Sequence, residues 1–250
     1  MARGPGERGR LLDDMMRDLP ADSPIRDRAR TASDAFSTAQ LRRLQEGGVR
    51  FATDEALPCE RVLPGTHASQ QLGDRGRYLP EARTIQVRDQ VSSGEVMHEM
   101  AHAWDDVRND RSRMRDDLSA AQRADMQMRF NHQDAAGQEL RAPASRRHAE
   151  LRGVPAGFHS DTNPAIGAAY DAYQGRFASR QILREGAFDL GAEGHSRDNP
   201  REFYAEGFRV FHTDAGARDR LIQNAPELYR VLYDEARRDG TLPATAPAPR

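Results

Sequence analysis

Residues 92–106 read Ser-Ser-Gly-Glu-Val-Met-His-Glu-Met-Ala-His-Ala-Trp-Asp-Asp, and the fold is best read outward from them. Ser92 and Glu95 form a capping box, so a helix is expected to begin here. Val96, Met97, Met100, Ala101 and Trp104 follow at helical spacing, and no breaker intervenes. Within that helix, His98-Glu-Met-Ala-His102 is an HExxH motif. Residues four apart share a helix face, so both imidazoles can reach one cation, with Glu99 beside them to move a proton. In a chain of this composition about 0.015 chance matches are expected, so the pattern carries information.

A hydrolytic zinc site of this kind needs a third protein ligand and an open fourth position. Residues 105 and 108 are Asp and Arg, which rules out the longer HExxHxxGxxH form, so the ligand must come from elsewhere. The strongest candidate segment is Asp198-Asn-Pro-Arg-Glu-Phe-Tyr-Ala-Glu-Gly-Phe-Arg-Val-Phe211. Asn199 suits an N-cap and Pro200 a first helical position. Phe203, Val210 and Phe211 form an apolar stripe, and Glu202 and Glu206 fall four apart on one face. The helix dipole explains an acidic residue in the first turn, and explains Glu206 less well. The remaining histidines, at 67, 132, 148, 159, 195 and 212, lie in loops or charged stretches.

The 250 residues allow one sizeable domain or two small ones, and a mean hydropathy of -0.84 requires much solvated surface. No apolar run reaches the ~18 residues of a membrane helix, and the N-terminus lacks the apolar segment of a secretory signal. Cys59 is the single cysteine, which excludes an internal disulfide framework. Thirty-seven basic residues balance 39 acidic ones, so the excess expected of a nucleic-acid binder is missing. Every basic residue is Arg. Coding bias explains this, as does a chain that offers no lysine for ubiquitin attachment inside a eukaryotic cell.

Residues 1–32 are rich in Arg, Asp, Gly and Pro and are expected to be flexible. Leu11, Leu12, Met15, Met16 and Leu19 make a short amphipathic patch in them, read as a small helix resting on the domain. Residues 33–240 form the expected domain, and 241–250 a flexible Pro/Ala tail. Helices are expected over Phe36 to Leu44, Pro164 to Gln181, Pro200 to His212 and Pro226 to Arg238. Strands are expected at Val49–Ala52 and Thr84–Val87, with a turn at Leu79-Pro80-Glu81. Residues 107–155 read as a solvated helix plus an irregular excursion. The expected class is α+β, helix-rich, with a small sheet placed early.

Residues 98–106 and 199–214 together resemble the catalytic domain of anthrax lethal factor and its relatives, which include the Pro-Pro endopeptidases of clostridia. The likeness continues through Ala217-Arg-Asp-Arg-Leu-Ile-Gln-Asn-Ala-Pro-Glu-Leu-Tyr229 and upstream at Tyr78-Leu-Pro-Glu-Ala-Arg83. It spans roughly residues 48–106 and 195–238, leaving 107–190 unmatched. It implies a zincin-type metallopeptidase with Zn2+ bound by His98, His102 and Glu202, and Glu99 as the base. It also implies that Glu206 orients a ligand, and that Asp105 and Asp106 match the family's paired aspartates behind the site. The position of the family's tyrosine, seven residues before the zinc-binding glutamate, holds His195 here, which either donates to the oxyanion instead or is a loop histidine without a role. The resemblance implies a protein or peptide substrate and a secreted or translocated bacterial toxin or effector that lacks a conventional signal peptide; the other location is the cytoplasm. A zincin-like binding module without catalysis and a small-molecule zinc amidase are the alternatives.

Overall fold

The computed structural model describes residues 6–53, 76–80, 82–108, 158–179, 196 and 199–249. Along the chain these form α1 (Glu7–Met15), α2 (Pro24–Ser33), α3 (Thr38–Glu46), β1 (Arg50–Thr53), β2 (Gly76–Leu79) and β3 (Thr84–Val87). Then follow α4 (Ser93–Arg108), α5 (His159–Thr162), α6 (Pro164–Ala178), α7 (Pro200–Thr213), α8 (Ala215–Asn224) and α9 (Pro226–Asp239). The arrangement is α+β and helix-rich, with a small sheet. No helix among the described residues is long and apolar enough to cross a membrane.

The sheet order is β1-β3-β2, with β3 parallel to β1 and antiparallel to β2. Phe51 and Tyr78 both pair with Ile85. All four residues of β3 are buried, so its polar Thr84 and Gln86 are covered as well as Ile85 and Val87. Below the sheet, α4 packs against α2 and α7, and Val96, Met100 and Ala101 are fully buried. The capping box forms: Ser92 N–H donates to Glu95 Oε2 at 2.6 Å, and Glu95 N–H to Ser92 Oγ at 3.2 Å. Helix α7 crosses α4 and also meets α9, where a Cβ on Gly207 would come within 2.3 Å of Leu228 Cδ2. Only glycine permits that approach.

The described part of residues 1–32, expected to be flexible, forms α1 and α2, which pack into the core with Leu12, Met15, Met16, Leu19, Ile25 and Ala29 buried. Residues 12, 15, 16 and 19 share a face, so a few apolar side chains suffice. The abundant arginines hold this region as well. Arg26 donates to the carbonyls of Met16, Leu19 and Pro20, which lie past the end of α1, at 2.8, 3.1 and 2.9 Å. The tail is docked too: Arg218 donates to Thr245 Oγ1, Tyr229 Oη–H donates to the Pro247 carbonyl at 2.6 Å, and Leu242 and Ala246 rest on the core.

Deleting residues 241–250 is therefore expected to destabilise the chain by about 1–3 kcal/mol, through the lost hydrogen bonds of Thr241 N–H, Thr245 Oγ1 and the Pro247 carbonyl and an uncovered Arg218. Urea unfolding of the shortened chain measures this; an unchanged midpoint would show that the tail contributes nothing.

No expectation from the sequence covered α2, β2, α5 or α8. Strand β2 and α5 are only four residues long, and α8 is capped by Asp214, whose Oδ1 accepts from Ala217 N–H at 2.8 Å. The reading of residues 107–155 lies outside the described residues from 109 onward.

Candidate metal centre

His98 and His102 project from one face of α4 toward the first turn of α7. That turn is set by Asn199, whose Oδ1 accepts from the N–H groups of Arg201 and Glu202, both at 3.0 Å, with Pro200 at the first position. The cap fixes the backbone of the turn from which the Glu202 carboxylate reaches both histidines. His98 Nε2 and His102 Nε2 lie 3.1 Å apart, and each is 3.2 Å from Glu202 Oε2.

Three electron-pair donors this close repel one another unless something positive lies among them. Four donors placed tetrahedrally at the ~2.0–2.1 Å typical of zinc are separated by about 3.3 Å, close to the observed edges. This cluster could hold a metal ion, and among the described residues it is the group of that kind. The Glu202 side chain keeps 28% of its surface exposed, so the site is reachable from one side.

The electrostatics favour a cation. Burial alone would lower the His98 pKa, but its bonds to Glu202 and Glu206 outweigh that and push it up to about 10. Burial would raise Glu202, yet His102 and His98 hold it well below the usual carboxylate range. Glu206, also buried, is brought down to about 2 by its bonds to His98 and Arg209. Its Oε2 lies 3.4 Å from His98 Nδ1, on the side of the ring opposite the donor triangle.

Glu99 is buried and shifts the other way: burial raises its pKa, aided by Glu202 and opposed by the two histidines. The Tyr78 backbone N–H bonds its carboxylate. A Cβ at Gly76 would lie 3.3 Å from Glu99 Cγ, so the glycine lets β2 sit directly over this side chain.

Asp105 and Asp106 are both fully buried and turn to different partners. Asp105 accepts from Ser160 N–H at 3.0 Å, from Ser160 Oγ–H at 2.5 Å and from Arg108 at 3.2 Å. Asp106 accepts from Tyr78 Oη–H at 2.7 Å. One aspartate thus ties α4 to α5, and the other ties it to β2, holding in place the strand that covers Glu99.

His195 lies outside the described residues. Phe158 was not foreseen; its ring stands edge-on to His102, with centroids 6.3 Å apart. The Arg201 guanidinium lies over the Phe158 ring, 4.4 Å from its centroid, and donates to Asp161 at 2.8 Å. Nothing local in the sequence signals the Phe158 contact, since it joins segments more than 50 residues apart. Arg209, three residues after Glu206, was legible as a helix-face ion pair.

The described residues thus define an α+β, helix-rich chain with a two-histidine, one-glutamate cluster suited to a metal ion. No family model matches this chain, and no curated protein or solved structure matches it either.

Proposed function

We propose that the chain is a zinc-dependent endopeptidase of the zincin type, akin to the lethal factor catalytic domain. The observation that carries this reading is the donor triangle of His98, His102 and Glu202 with Glu99 buried beside it. Those three residues would hold the zinc, which when bound supplies a Lewis acid for the scissile carbonyl and makes water acidic near neutral pH.

The protein's own groups do the rest. Glu99 accepts the proton of the attacking water and delivers it to the leaving amine. Its raised pKa suits a carboxyl that must hold a proton between the two steps. The Tyr78 N–H keeps that carboxylate from swinging away. Because β2 is an edge strand among the described residues and, unlike the other edge β1, covers Glu99, an extended substrate segment aligned with it would bring a peptide bond to the site. An extended protein substrate, and a role as a bacterial toxin or effector delivered out of the cell that makes it, rest on the resemblance.

The test is incubation with a mixed peptide library, read by mass spectrometry with and without chelator. Cleavage is expected that stops on chelation and returns with added zinc. Zinc binding without cleavage of any peptide would replace this reading with that of a binding module. Turnover confined to small amides would replace it with an amidase.

A further inference from the structure

The guanidinium of Arg209 sits where helix electrostatics alone would not put it. It packs beside the first turn of α4: a Cβ on Gly94 would lie 3.7 Å from Arg209 Cδ and 3.8 Å from Nη1. That end of a helix carries the positive pole and favours anions. What Arg209 meets there is the buried carboxylate of Glu206, one turn earlier on α7. Nε donates to Glu206 Oε2 at 2.9 Å, and Nη2 donates to Oε1, so both oxygens are gripped by one rigid fork. The two side chains keep only 15% and 7% of their surface exposed, so water screens the contact little. Glu206 Oε2 is also the oxygen that faces His98 Nδ1.

We propose that Arg209 is a positioning residue of the metal centre. By holding both oxygens of Glu206 it keeps that carboxylate against His98 Nδ1. The ring is thereby fixed with its Nε2 turned toward Glu202 and His102. A glutamate side chain has three rotatable bonds, and without the fork Glu206 is free to leave the imidazole. Groups that orient a ligand in this way typically change metal affinity by ~10–100-fold when removed. Arg209 acts one contact further out, so its own removal belongs at about 10-fold. The inference rests on the zinc-binding reading above.

The experiment is a competition titration of the full-length chain against a zinc-chelating dye. It compares the parent, Arg209→Met, Glu206→Ala and the double variant. Methionine keeps an apolar stem against Gly94 and removes every donor. Arg209→Met is expected to bind zinc about 10-fold more weakly than the parent. The double variant should match Glu206→Ala within about twofold, because Arg209 has nothing left to hold. A purely structural role would not produce that coincidence. Circular dichroism verifies folding, and should the methionine variant fail to fold, Arg209→Lys carries the same cycle, since an ammonium cannot grip both oxygens in one plane. An Arg209 variant that binds like the parent overturns the inference, and so does a double variant whose loss is the product of the single losses. A parent that binds no zinc overturns the metal-site reading itself, an outcome distinct from either.

Discussion

Glu99→Gln is expected to retain zinc and to lose peptide turnover by about a thousandfold or more. The substitution leaves most of the site in place. Glutamine has nearly the same shape, its carbonyl oxygen can still accept from the Tyr78 N–H, and neither His98 nor His102 is altered. It also fills the same space under Gly76, where Glu99 Cγ packs closely. What disappears is the carboxylate beside the donor triangle that is proposed to take and return the proton. General acid–base catalysis contributes ~100- to 10,000-fold, and in the proposed mechanism a single residue serves both proton transfers. Side-by-side measurement of zinc content and cleavage rate decides the matter. Equal rates for parent and variant would exclude Glu99 as the base. Joint loss of zinc and rate would show that the carboxylate acts on the metal site instead.

The second large effect concerns the two glutamates of α7. Glu202→Ala removes a donor from the triangle. Structural zinc sites bind with ~10–16 kcal/mol shared among their ligands, so one of three protein donors is worth on the order of 100- to 10,000-fold in affinity. Glu206→Ala removes only the carboxylate behind His98, with an expected loss of ~10–100-fold. Zinc titrations should therefore rank Glu202→Ala well below Glu206→Ala. A reversed order would make Glu206 the ligand. The geometry supports the stated order, because Glu202 Oε2 stands 3.2 Å from both Nε2 atoms while Glu206 faces Nδ1 of one ring.

Much of the local structure was legible in the amino-acid sequence. The Ser92–Glu95 box starts α4, Asn199 and Pro200 start α7, and Thr84–Val87 is a strand as expected. Such signals are local: capping bonds span two or three residues, and helix faces repeat every three or four. For the same reason the facing pair His98 and His102 could be read directly from their spacing. The pairing of this helix with Glu202 was a different matter. From the residues alone it was one of two glutamates on a plausible helix, and the choice came from a resemblance.

Packing decided the rest. His98 and Glu202 are 104 residues apart, and they meet because α4 and α7 cross with small and apolar residues between them. The composition of residues 1–32 and of the tail argued for loose chain. Their few apolar side chains nevertheless find a common core, Arg26 bonds the carbonyls that follow α1, and Arg218 and Tyr229 bond the tail. Asp105 and Asp106 are neighbours in sequence yet turn to Ser160 and Tyr78, on elements that come from opposite directions along the chain. Spacing along a helix determines which side chains share a face. Which partner that face meets depends on contacts between distant segments, whose energies come from burial and charge pairing that exist only once the chain has closed upon itself.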